Sequence, residues 1–146
     1  MLDIIKRELD LIKLTFNQNK TLTPIIIFLV GKNRYVVPFN PANKEIVNIG
    51  IRDLVKQVTP DIVMFALETW ITQLEIDQVM TRQHVVQVQI ECKTGEKLAL
   101  SARIMKIGEL IILGAFRTLD KDNMADPFTD IFEPKRLRAQ IFRTLG

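Results

Sequence analysis

The sequence has little of the residue types that build disulfides and metal centres: it contains one cysteine and one histidine. The single cysteine, Cys92, excludes a disulfide within the chain. Together the two residues are also too few for the common structural zinc sites, which take four such ligands. Glycine and proline, six of each, are too scarce for collagen-like or low-complexity chains. We therefore expect a globular fold that needs neither disulfides nor zinc.

Long apolar runs are also missing. The longest, Ile25 to Val30, is far shorter than the roughly 20 residues of a membrane-spanning helix. The first residues include Asp3 and lack an apolar stretch followed by a small-residue cleavage site, so we expect no signal peptide. Together with the single cysteine, this favours a cytoplasmic protein without membrane contact.

The familiar sequence signatures of enzymes do not occur. The chain has neither a Walker-type phosphate loop nor a Gly-x-Gly-x-x-Gly motif. His84 and Cys92 fall in one predicted strand about eight residues apart, roughly 26 Å at the rise of a strand, so they cannot form a nucleophile and base pair there. We expect no catalytic residue, no metal and no cofactor, and favour a protein that is not an enzyme.

What is present indicates one compact unit. Hydrophobic residues make up 47% of the chain and charged residues 25%, which is typical of soluble domains. Apolar residues recur at helical spacing over residues 2–17, and a second helix is predicted from Asn40-Pro41 to Thr59-Pro60. We predict one domain over residues 1–119, followed by a tail over residues 120–146.

Six segments have the pattern of strands: residues 25–30, 35–37, 62–71, 84–92, 98–104 and 110–116. Residues 72–82 mix polar and apolar types and are predicted to be a connection. The third strand is almost continuously apolar, which indicates cover on both of its faces. The order α-β-β-α-β-β-β-β predicts an α+β fold, a mostly antiparallel sheet of about six strands with helices on one face and a C-terminal tail or helix.

One stretch carries a resemblance. Residues 60–70 read PDIVMFALETW, and the basic residue Arg103 follows after two further strands. This pattern resembles one in small uncharacterised α+β proteins of prokaryotes and their phages, over roughly a third of the chain. The resemblance implies a related fold and, since that family has no assigned function, no catalytic residue. The element order is also similar to that of roadblock-like and profilin-like domains.

Glu68 is the charged residue inside the most apolar strand, where Met64, Ala66 and Trp70 share its face. A buried carboxylate must pair or stay protonated, and arginines in later strands are candidate partners. One interpretation is a structural ion pair or a protective edge charge. The other is a pocket for a polar or anionic small molecule, in a binding module or an unfamiliar hydrolase. Its candidate ligand-binding residues are Glu68, Trp70, Arg103 and Arg117.

The tail is divided by charge. Residues 120–133 hold five acidic residues and one lysine, and residues 134–146 hold four basic residues and no acidic one. Large apolar residues are spread through both halves, and those after Pro134 have helical spacing. The candidate interaction residues are Phe128, Ile131, Phe132, Leu137, Ile141 and Phe142. Because free tails rarely expose so much apolar surface, the tail should pack on its own domain, on a second copy or on another protein.

From this pattern we expect a non-enzymatic protein that acts through self-association or binding to a protein partner. The first alternative is the small-molecule or anion pocket described above. The second is weak nucleic-acid binding through the basic C-terminus. Since the basic groups lack a recognisable motif with interleaved aromatic residues, we do not favour a nucleic-acid partner.

Overall fold

The computed structural model describes residues 2–74, 76–120, 123–124, 128 and 131–132. Within them all strand pairs are antiparallel and form one sheet in the order β2-β1-β3-β4-β5-β6. The predicted α+β fold with a mostly antiparallel, six-stranded sheet is confirmed. The elements are α1 (Leu2–Asn19), β1 (Ile25–Val30), β2 (Asn33–Pro38), a 3-10 turn (Pro41–Asn43), α2 (Lys44–Val58), β3 (Ile62–Leu74), β4 (Met80–Cys92), β5 (Lys97–Ile107) and β6 (Leu110–Thr118).

The two helices lie on opposite faces of the sheet, which corrects the expectation that both cover one face. Phe16 of α1 clusters with Ile27 and Met64. Ile51 of α2 clusters with Phe65, the next residue along β3. Because successive side chains of a strand point to opposite faces, these clusters define an α1 face and an α2 face. The physical reason is that β1 and β3 are apolar on both faces, so each face needs its own cover.

Helix α1 spans the sheet from one edge strand to the other. Glu8 pairs with Arg34 on β2, and the Asn17 side chain accepts a hydrogen bond from the backbone N–H of Leu113 on β6. These two helical positions are only about 14 Å apart along the axis, whereas six flat strands would span about 24 Å. The sheet curls around α1 as half of a barrel, and the long Arg34 side chain covers part of the remaining distance.

Strands β3 and β4 continue past their neighbours as a two-stranded arm. Strand β1 pairs with β3 only as far as Ala66, and β5 pairs with β4 only from Val85. Beyond those points, and within the described residues, β3 and β4 pair only with each other, up to Leu74 and Met80. The prediction of a connection over residues 72–82 is therefore wrong at both ends. This segment lacks a regular apolar alternation, which fits the absence of any other described strand paired with the arm.

Asp61, just before β3, links two hairpin turns. Its side chain accepts a hydrogen bond from the Gly31 N–H at 2.9 Å and lies 3.2 Å from the Lys93 ammonium. Its carbonyl accepts a hydrogen bond from the Lys93 N–H. The β1–β2 turn and the β4–β5 turn are thereby held at the same end of the sheet.

Candidate functional site

Glu68 is only partly buried and has a polar partner on each side. His84 Nε2 lies 3.0 Å from one carboxylate oxygen. The other oxygen accepts hydrogen bonds from the Thr21 hydroxyl at 3.3 Å and the Leu22 N–H at 3.2 Å. The predicted pairing with an arginine is replaced by a pairing with histidine, since Glu68 and Trp70 lie opposite Val86 and His84 on the neighbouring strand.

Trp70 and His84 stack face to face at the base of the arm. Their ring centroids are 4.7 Å apart and their planes differ by 11°. The Arg82 guanidinium lies 5.1 Å from the centroid of the Trp70 ring. Trp70 nevertheless stays 51% exposed. The result is a row of cation, indole, imidazole and carboxylate along the α1 face.

The contacts within this row are hydrogen bonds and ring stacking. With Nε2 donating to Glu68, a neutral His84 has only Nδ1 left as an acceptor. The neighbouring hydroxyl, that of Thr21, donates to Glu68 and not to the imidazole. Cys92 lies eight positions along the strand and is buried, and this burial, aided by the charge of Glu96, raises the pKa of its thiol. A raised pKa keeps the nucleophilic thiolate scarce.

Arg103 and Arg117 lie on the other side of the sheet from Glu68 and Trp70. Arg103 is opposite Val85, and Arg117 is opposite Ser101. Val86, which pairs with Glu68 on the neighbouring strand, is part of the α1-face cluster. The adjacent residue Val85 therefore lies on the α2 face. The four candidate ligand residues therefore do not form one pocket. Arg103 and Arg117 do line a common groove of about 360 Å³.

The described part of the tail packs on its own domain. Phe128 is 4% exposed, and its ring stacks on Phe65 with centroids 4.3 Å apart. Ile131 is buried in the same α2-face cluster, with Phe132 partly buried against it. Leu137, Ile141 and Phe142 lie outside the described residues. The sequence left open whether the tail packs on its own domain, on a second copy or on another protein. For Phe128 and Ile131, the structure shows packing on their own domain.

A row of polar side chains on β4 receives this tail. Gln89 accepts a hydrogen bond from the Phe128 N–H at 2.8 Å and donates to the Phe128 carbonyl. It also donates to Glu91, and both side chains are buried together with Gln87. Buried amide and carboxylate groups need partners. The polar residues Gln87, Gln89 and Glu91, which alternate with apolar residues along β4, are therefore the sequence feature that indicates a docked segment.

The two edges of the sheet differ. Near the start of β6, two backbone groups have side-chain partners: Asn17 of α1 accepts a hydrogen bond from the Leu113 N–H, and the ammonium of Lys20, just after α1, donates to the Ile111 carbonyl. All six residues of β2 are exposed, and β2 pairs only with β1 in the part of the chain that the structure describes. One edge is thus partly covered and the other is open.

Among the described residues, no group of three or more potential ligands could hold a metal ion. Over the same residues, no helix is both long and apolar enough to cross a membrane. No family model, curated protein or solved structure matches the chain. The resemblance of residues 60–70 to small prokaryotic and phage proteins therefore stays a prediction, and any function has to be argued from the geometry.

Proposed function

We propose that this protein acts by association, through pairing of the open β2 edge with β2 of a second copy. The observation that carries the proposal is the contrast between the edges: Asn17 and Lys20 bind two backbone groups of β6, whereas no described residue covers the outer side of β2. An edge strand with unpaired backbone groups is a ready template for another strand. The proposal requires no catalytic group.

The outward backbone groups of β2 can be assigned from its register. Pro38 lies opposite Ile25 and has no N–H, so its position must be one that does not donate to β1. Inward and outward positions alternate along an antiparallel strand, which makes Val36 and Arg34 outward-facing as well. The N–H and C=O of Val36 therefore point away from β1 and towards an incoming strand.

The side chains of β2 suit this pairing. Tyr35, Val36 and Val37 are 50%, 43% and 37% exposed, and aromatic and β-branched residues make favourable pairs across strands. The charged residue next to them, Arg34, has its guanidinium neutralised by Glu8. Two copies can therefore approach without repulsion between unpaired charges along the edge.

The occupant that we infer is a second copy because an antiparallel edge is complementary to itself. Rotation about a two-fold axis places one β2 antiparallel to the other and pairs each Val36 with acceptors and donors of the partner. The result is one continuous sheet across the dimer, with α1 and α2 of each copy on its faces.

Sedimentation equilibrium of the full-length chain and two variants tests the proposal. Val36→Pro removes an N–H that the sheet itself does not use, whereas Val36→Ala shortens the side chain and keeps that N–H. We expect a dimer for the unmodified chain and for Val36→Ala, and a monomer for Val36→Pro. Circular dichroism would verify that both variants are folded.

Two outcomes would contradict the proposal. One is an unmodified chain that is monomeric up to high concentration. The other is a folded Val36→Pro variant that assembles as the unmodified chain does, because the open edge would then not be the contact.

A further inference from the structure

We propose that the groove formed by β4, β5 and β6 on the α2 face binds a phosphate monoester, that is, a phosphate group carried by a small organic molecule. The site is independent of the β2 edge. It holds two of the residues that the sequence singled out, Arg103 and Arg117, and does not include Glu68 or Trp70.

The strand register brings the two guanidinium groups together. Arg117 lies opposite Ser101, and Arg103 is two residues further along β5 on the same face. Diagonal neighbours of this kind are about 7–8 Å apart across a sheet, within reach of long side chains. Both arginines can therefore converge on one anion, each through two parallel N–H donors.

A bulge shapes the floor of the groove. Between Ala102 and Ile104 the pairing shifts, so that Gly114 and Ala115 together face Arg103. A Cβ at Gly114 would lie 3.3 Å from the Arg103 carbonyl oxygen and 3.4 Å from Met105 Cε. Glycine thus allows the close approach of β6, and bulges commonly re-aim side chains beside functional sites.

The charge in the groove is not compensated. Arg103 and Arg117 are exposed and form no ion pair with a carboxylate among the described residues. The lining includes no acidic residue. Further polar groups come from Gln83, Ser101 and Thr118. Two neighbouring cations with hydroxyl and amide groups beside them suit a doubly charged, tetrahedral anion.

The size of the groove favours an organic phosphate over the free ion. Its volume of about 360 Å³ is in the range of about 300–1,000 Å³ that is usual for small-molecule sites. Met105 and Ala115 supply apolar surface beside the charged groups. The phosphate would contact the arginines, and the organic part would lie on this apolar surface.

Calorimetric titration of the full-length chain at neutral pH and low ionic strength tests the site. The probes are phenyl phosphate, inorganic phosphate and phenol. We expect phenyl phosphate to bind at least tenfold more tightly than inorganic phosphate, and phenol not to bind. Arg103→Gln and Arg117→Gln should each weaken phenyl phosphate binding at least tenfold, and Arg117→Lys by less.

The control is Lys106→Gln, which removes one exposed charge from the same strand outside the groove and should change the affinity less than twofold. The inference is overturned if phenyl phosphate does not bind, or if the arginine variants, shown to be folded by their thermal midpoints, bind it as the unmodified chain does. Equal losses in Lys106→Gln would show a general charge effect and overturn it too. Equal affinities for phenyl and inorganic phosphate would refute the monoester.

Discussion

Glu8 is the residue whose burial depends most clearly on a single partner. Its side chain is fully buried on α1, and both of its carboxylate oxygens accept hydrogen bonds from Arg34, at 2.9 and 2.8 Å. This contact raises the pKa of the Arg34 guanidinium, chiefly through the hydrogen bond to Glu8. The pair joins α1 to the strand whose outer edge is open.

Replacing Arg34 should destabilise the fold more than loss of an ordinary surface charge. Arg34→Met leaves the Glu8 carboxylate buried without its partner, which costs about 3 kcal/mol, the lower end for a broken buried pair. We choose the lower end because the Arg34 side chain is 42% exposed. The free energy of unfolding in urea measures this effect.

Two further variants make that measurement specific. Arg7→Met removes an exposed charge from the same helix and should change stability by no more than about 0.5 kcal/mol. Glu8→Met combined with Arg34→Met should be more stable than Arg34→Met alone, because no unpaired charge stays buried. A single Arg34→Met variant as stable as Arg7→Met would contradict this account of the pair.

Glu68 shows how far single residues could be interpreted from the sequence. Its place among Met64, Ala66 and Trp70 on one face followed from alternation along β3 and is confirmed. Its partner did not follow, because a shift of one residue in register turns a side chain to the other face. Nothing local to β3 shows that His84, rather than Arg103, lies next to it.

At the scale of elements, Asp61 holds the two turns at the end of β3. The Gly31 N–H and then the Lys93 ammonium lower the pKa of its carboxyl group below 3.8. A carboxyl whose pKa is lower in the folded chain adds stability above its unfolded pKa and loses it as the pH falls through the folded value. The stabilisation from Asp61 is therefore complete near neutral pH and is lost below about pH 3.8.

The stability of an Asp61→Asn variant, measured as a function of pH, tests this assignment. Asparagine keeps an acceptor for the Gly31 N–H but has no charge to attract Lys93. We expect the variant to be less stable than the unmodified chain at neutral pH, with the difference shrinking below pH 3.8. Asp53→Asn, an exposed residue of α2, is the control. A constant difference between Asp61→Asn and the unmodified chain at every pH would contradict the assignment.

The strength of the sequence pattern limits which elements can be predicted. Helix α1 and the sheet core have sustained periodicity, and their order is confirmed. The arm has none, because it lies beyond β1 and β5. The boundary placed at residue 119 stays a prediction, but Phe128 and Ile131 beyond it belong to the α2-face core. Truncation there would uncover Phe65 and is a poor test of association.

At the scale of the whole molecule, the curl of the sheet around α1 explains why the β2 and β6 edges differ in how far their backbone groups are covered. The C-terminal end of α1 reaches β6, where Asn17 and the following Lys20 bind two of its backbone groups. The Glu8–Arg34 pair reaches β2 only through side chains and leaves its backbone edge uncovered. The same helix thus contributes contacts to backbone groups at one edge, whereas the backbone of the other edge is uncovered in the described part of the chain.

Hydrogen exchange at the Val36 amide tests this claim most directly. Tyr35, one residue away, points its N–H towards β1 by the same alternation and serves as the internal reference. We predict that Val36 is protected from exchange at high protein concentration and loses that protection on dilution, while Tyr35 stays protected at both. Rapid exchange of Val36 at every concentration would contradict pairing through the β2 edge.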